Sequence, residues 1–195
     1  MTNVRTPITA VVTVGLTAAI ASAHPGHAAY GLSDGVAHPL TGLDHVLAML
    51  GVGLWAWQLG GRARLAVPAA FVGAMAVGGA AQFAGGDVPL VEPGILTSVL
   101  VIGLLIAVGF KLPTIAAAAV AGAFAVCHGA AHAAEMGGGT GDASFTLGFL
   151  LATAALHVTG IGLAAAMATM KDGAMVRWAG AAMGLVGVMM VAGAV

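Results

Sequence analysis

Histidine and carboxylate side chains gather in two short stretches of an otherwise apolar sequence. The first holds His38, Pro39, Gly42, Asp44 and His45, and the second holds Cys127, His128, Gly129, His132 and Glu135. Both lie in or beside long apolar runs, where an ionisable side chain is costly enough to mark a site or a pathway. Imidazole and carboxylate together suit nickel, cobalt or zinc. An all-oxygen set would suit magnesium, and grouped Cys or Met would suit cuprous copper.

Spacing sets what each stretch can do. His128 and His132 are four apart and Glu135 is three further on, so on a helix all three project from one face at successive turns. Two such imidazoles can bind one ion. His45 follows His38 by seven, two turns along one face. That is too far for joint chelation in a regular helix, so these two read as successive stations or as ligands shared with another helix. The side chain of Cys127 points about 100° away from that of His128 on a helix, which makes packing its expected role.

The elements that must carry these groups are membrane helices. Of 195 residues 60% are hydrophobic and 7% are Asp, Glu, Lys or Arg, where a soluble domain carries roughly 25% charged residues. The mean hydropathy is +1.05. Apolar segments of membrane-spanning length run over Pro39–Leu59, Leu65–Ala84, Leu90–Phe110, Leu112–Ala134, Ser144–Thr169 and Ala174–Val195. Backbone groups in lipid must be bonded within the segment, and the connections are too short for a barrel, so the fold class is all-α, a bundle of six transmembrane helices. Ahead of them, Arg5, the apolar run Ile8–Ile20 and the small residues Ala21, Ser22 and Ala23 form the pattern of a cleavable secretory signal. The expected organisation is a signal peptide over residues 1–23 and one transmembrane domain over 24–195.

Charge bias gives the orientation. Cleavage leaves the mature N-terminus outside, and Arg62, Arg64, Lys111, Lys171 and Arg177 then all fall in cytoplasmic loops, as the positive-inside rule requires. Asp87, Glu92, Glu135 and Asp142 fall outside, as do both mature ends. Retaining the first segment would add a helix without inverting the others. No sequence similarity between the first three and last three helices points to inverted halves. The small residues of Gly180 to Gly184 suit close helix packing within one bundle.

Depth then links the two motifs. With Pro39 at the outer edge, His45 lies about 9 Å into the membrane, and His128 lies about 10 Å inward of Glu135. His38, His132 and Glu135 should ring the outer mouth, with Asp44, His45 and His128 beneath. His157 is a further candidate about 20 Å down. Asp44 either ligates or holds a ligating imidazole in one tautomer. The mature start would add His24 and His27 as surface candidates for capturing an ion, beside a free amine.

At these motifs the sequence resembles the HupE/UreJ family, bacterial membrane proteins found as hydrogenase and urease accessory proteins and regarded as nickel or cobalt permeases. The family's first-helix signature of His, five residues, then Asp-His is matched by His38, Asp44 and His45. Its second signature is matched at His128, Gly129, Ala131, His132 and Glu135, with Cys127 where the family usually has Phe and Ala133 where it has Gly. The resemblance spans the whole chain, including the signal peptide and six-helix layout. It implies a nickel or cobalt permease that supplies a metalloenzyme such as hydrogenase or urease.

The residues and the resemblance converge on a secondary permease, not an enzyme, that moves Ni2+, with Co2+ or Zn2+ as other cargoes. Its metal-binding residues would be His38, Asp44, His45, His128, His132 and Glu135, with His24, His27 and His157 as further candidates. No phosphate-binding loop is present, so this chain does not hydrolyse ATP. The rival is an intramembrane zinc-dependent hydrolase, which lacks the Glu directly after the first His that HExxH enzymes need. Bis-histidine haem binding is a weaker third reading. Expected partners are the lipid bilayer and the divalent ion. A homo-oligomer and a cytoplasmic metallochaperone are compatible with the sequence. Nucleic acid is not a partner, since the net charge is -1 and no basic cluster exists.

Overall fold

A chain this apolar must satisfy its backbone internally, and it does so with helices. The computed structural model describes residues 31–135, 143–169 and 174–195. The signal-peptide segment, His24 and His27 lie outside the described residues. Seven α-helices form among them: α1 (Leu32–Ala37), α2 (Leu43–Leu59), α3 (Ala63–Phe83), α4 (Val91–Val108), α5 (Thr114–Glu135), α6 (Ala143–Ala168) and α7 (Ala174–Val191). No strand occurs among the described residues. Helices α3 to α7 are each long and apolar enough to cross a membrane. Their outward faces are apolar too, with Leu65, Ile115, Val158 and Leu185 all well exposed, a surface that water does not tolerate but lipid does. The chain is a multi-pass membrane protein.

The first span departs from the regular helix expected over Pro39–Leu59. Helix α1 and a 3-10 turn over His38–Leu40 meet α2 at 86°, and the two pieces together have the length and hydropathy of one span. Two residues cause the break. Pro39 is the second residue of the 3-10 turn, and Gly42 takes an extended conformation (φ -101°, ψ 123°) as the N-cap of α2. A Cβ on Gly42 would lie 2.7 Å from Asp44 Oδ1 and 2.9 Å from His45 Nδ1, so only glycine leaves room for those side chains to fold back over the helix start. His38 and His45 therefore sit on different pieces of chain, and the two-turn spacing of a continuous helix does not apply to them.

Glycines fix the packing. Helices α2 and α6 run in the same direction and cross where a Cβ on Gly53 or Gly160 would strike the other helix's backbone. The parallel pair α3 and α5 crosses likewise at Gly78 and Gly129. The antiparallel pair α4 and α7 meets along Gly103, Gly180, Gly184 and Gly187, which places the expected small-residue stretch inside the bundle. Without a hydrophobic drive between helices in lipid, such backbone proximity and the dispersion contacts it allows supply the association energy. Exchanging α2, α3 and α4 for α5, α6 and α7 turns the first pair into the second and returns the third to itself. That is the contact pattern of two inverted halves, which the residues of the two halves do not reveal by similarity.

Gly129→Ala should therefore destabilise the bundle by about 1–3 kcal/mol, the usual cost of overpacking. The added methyl would overlap the carbonyl oxygen of Met75. Denaturant titration of purified protein measures the effect, and an unchanged midpoint would contradict the crossing.

Candidate metal centre

The site forms in the seam between the α2/α6 pair and the α3/α5 pair. At its outer end His38 Nε2 lies 2.9 Å from His132 Nδ1 and 2.8 Å from Glu135 Oε2, and His132 Nδ1 lies 3.3 Å from the same oxygen. Three atoms that each carry lone pairs thus converge on one point. A neutral His38 can satisfy one neighbour with its Nε2 proton, leaving the rest as electron-rich atoms facing each other. Among the described residues this is a group of three whose ligand atoms all lie within 4.8 Å of one another. The break before α2 makes it possible, because it swings His38 off the α2 axis and over the last turn of α5.

Directly beneath, His45 is held by its neighbour. Asp44 Oδ1 accepts from both the His45 backbone N–H and the ring Nδ1–H, each at 2.8 Å. The carboxylate fixes the tautomer and leaves the Nε2 lone pair bare, the arrangement that raises the basicity of metal-ligating imidazoles. The His45 ring centroid lies 4.4 Å from that of His132 and 4.9 Å from that of His128. His45 therefore shares the seam with both α5 histidines.

His128 is oriented from the other side. Ser98 Oγ donates to the Ile95 carbonyl at 2.6 Å, so its oxygen must accept from His128 Nε2–H at 3.2 Å. That leaves His128 Nδ1 as a lone pair. His45 Nε2, His128 Nδ1 and His132 Nε2 are all buried and have no hydrogen-bond partner among the described residues. Leaving one buried polar atom unmade costs about 1–3 kcal/mol, and three bare nitrogens in one seam form a donor set that suits a cation. His132 belongs to both levels, with Nδ1 toward His38 and Glu135 and Nε2 toward the interior.

Exposure grades along the same line. It falls from 56% at Glu135 and 31% at His38 to 6% at His132 and to 0% at His128. Deeper still, the Phe71 ring packs on both His128 and His157, with ring centroids 5.4 Å and 5.0 Å away. Both nitrogens of His157 are buried without a partner among the described residues.

Most candidates drawn from the sequence meet in this seam, but not as one ligand set. His38, His132 and Glu135 close together, Asp44 and His45 pair beneath them, His128 turns to Ser98, and His157 packs on Phe71. Cys127 points away, since a Cβ on Gly94 would lie 2.5 Å from its sulfur. Cys127→Ser should leave metal affinity unchanged in a titration of purified protein. The sequence reading missed Ser98 and the aromatic wall of Phe71, Phe145 and Phe149, whose rings pack on His38, His128, His132 and His157. A hydroxyl inside the apolar stretch of α4 is the one signal that pointed to Ser98. Replacing it with Ala should weaken metal binding roughly 10-fold, the low end for groups that orient a ligand.

Comparison with known proteins agrees with the motifs. The family described as HupE / UreJ protein matches residues 11–190. Protein HupE of Rhizobium leguminosarum bv. viciae is 44% identical over 174 residues, covering 89% of this chain and 91% of that one. No solved structure matches the chain.

Proposed function

We propose, from the premise that this chain belongs to the HupE/UreJ family, that it is a nickel or cobalt permease serving the maturation of hydrogenase, urease or a similar metalloenzyme. The observation that carries this reading is the ladder of bare imidazole nitrogens running inward from the His38, His132 and Glu135 group. A hydrolase would need one three-ligand centre with a position left open to water; a permease needs a next station. In this account the metal ion is substrate, and no resident cofactor is required.

The ion's route follows from the residues. Asp34, Asp44, Asp87, Glu92 and Glu135 crowd the outer end, and among the described residues no Lys or Arg lies there. That field concentrates divalent cations at the mouth. An arriving ion exchanges water for His38 Nε2, His132 Nδ1 and Glu135 Oε2. It then passes to the inner face of His132, where His45 Nε2 and His128 Nδ1 wait with fixed tautomers. Three protein ligands or fewer at each step keep binding weak enough to leave, as conduction demands. His157, behind Phe71, receives the ion next.

The two levels above His157 each draw ligands from the first span and from α5, so sliding of α2/α6 against α3/α5 opens and closes the seam while the glycine crossings keep each pair rigid. The first span is α1 and α2 together, giving six spans in an inner membrane with both mature ends in the periplasm after signal cleavage. His24 and His27 then stand near the mouth as capture ligands. A metallochaperone takes the ion at the cytoplasmic end, and a homo-oligomer is compatible with this arrangement.

Labelled-nickel uptake by cells expressing the wild type or His128→Ala tests the reading. Uptake should collapse in the variant, and equal uptake in both would remove the case.

A further inference from the structure

The opposite end of the bundle carries a second feature that owes nothing to the metal route. A cleft of about 420 Å3 opens between α4 and α7, lined by Ala107, Ala174, Arg177, Trp178 and Ala181. Arg177 Nε donates to the Ala107 carbonyl at 2.8 Å. That bond holds the guanidinium at the cleft, while its two terminal nitrogens have no protein acceptor among the described residues. Four N–H donors without an acceptor among the described residues, on a planar cation held through Nε, match the geometry of a phosphate.

The surroundings reinforce the charge. Lys111 donates to the Gln58 carbonyl, Arg64 lies 5.8 Å over the Trp57 ring, and Arg62 precedes the first turn of α3. Among the described residues these four cations share this end, none is paired with a carboxylate, and no carboxylate accompanies them. Fixed cations at a membrane surface attract anionic lipid, and basic pockets between spans bind lipid head groups.

An apolar track selects lipid over a free anion. Trp178, Ala181, Leu185 and Val188 follow one another at helical spacing along the outer face of α7, with Trp178 74%, Leu185 63% and Val188 50% exposed. Leu104 and Val108 of α4 are exposed in the same way, beside Ala107 in the cleft. An acyl chain leaving the cleft would lie along this track, and Trp178 has the amphipathic ring that settles at head-group depth.

We propose that the Arg177 cleft is a binding site for the phosphate of an anionic phospholipid, with the acyl chains laid along the outer face of α7. The occupant is a phosphodiester with a net negative head group, such as a phosphatidylglycerol.

Native mass spectrometry of the full-length protein, released from nanodiscs of phosphatidylglycerol mixed with phosphatidylcholine, tests the proposal. The wild type should retain phosphatidylglycerol, and Arg177→Gln should lose it. Arg64→Gln, a charge of the same end outside the cleft, should retain it. Ala181→Trp fills the cleft while keeping the guanidinium and should also lose it, so a folding defect in one variant does not decide the result. Added phosphatidylglycerol should raise the wild-type melting temperature, while millimolar inorganic phosphate should not. Equal retention in all four proteins, or equal loss in Arg64→Gln and Arg177→Gln, would overturn the site. An equal shift with inorganic phosphate would overturn its lipid character.

Discussion

His132→Ala should abolish metal binding at both levels of the seam and lower nickel uptake by well over 100-fold. Changing a group that merely orients a metal ligand costs about 10- to 100-fold, and His132 is set to ligate directly through both nitrogens. Its Nδ1 closes the outer group with His38 and Glu135, and its Nε2 is buried and bare on the inner side. His132→Gln supplies one short donor in place of two and should recover only a small part of the loss. The ring also packs against Phe149, 4.1 Å between centroids. Protein yield and melting temperature must therefore be measured alongside uptake to separate misfolding from lost ligation. A stable His132→Ala protein that takes up nickel at the wild-type rate would refute the shared role.

Asp44→Asn should follow, with a loss of roughly 10- to 100-fold in nickel affinity and little change in fold. The amide keeps the size of the carboxylate and can still accept the His45 backbone N–H. It loses the charge that holds the ring Nδ1 proton, and half of its rotamers would present an NH2 group to His45 instead. The imidazole then loses both its fixed tautomer and the basicity that the carboxylate gives it. Titration calorimetry of the purified variant measures the effect. Asp44→Glu, which keeps the charge but lengthens the arm, should fall between the two. Equal affinities for Asp44→Asn and wild type would mean that Asp44 caps the helix and does nothing for the ligand.

The spans were legible because hydropathy acts on whole segments, and α3 to α7 lie within a few residues of the expected limits. That His38, Asp44, His45, His128, His132 and Glu135 gather in one seam was legible, but not how they group there. Spacing along α5 places His128, His132 and Glu135 on one face, yet it cannot tell which of them partners a residue from elsewhere. Ser98 takes His128, and the broken first span brings His38 to His132 and Glu135. That break rests on Pro39 and Gly42, and a proline at a helix start is ordinarily a reason to begin a helix, not to bend the chain by 86°. Helix α1 escaped the reading because six residues leave no periodic signal. The aromatic wall escaped it as well, since Phe71, Phe145 and Phe149 look like core filler until the histidines beside them are placed. The inverted pattern of helix pairs rests on where glycines let backbones touch, which no residue-by-residue comparison of the halves exposes.

One measurement bears most directly on the claim that the seam conducts a divalent cation. Purified protein is reconstituted into liposomes enclosing a nickel-sensitive dye, and nickel is added outside. Saturable quenching in wild-type vesicles, absent from vesicles with His132→Ala, is the predicted result. Quenching no faster than in protein-free vesicles, with zinc held stoichiometrically and without exchange, would contradict it and point to the metal hydrolase instead.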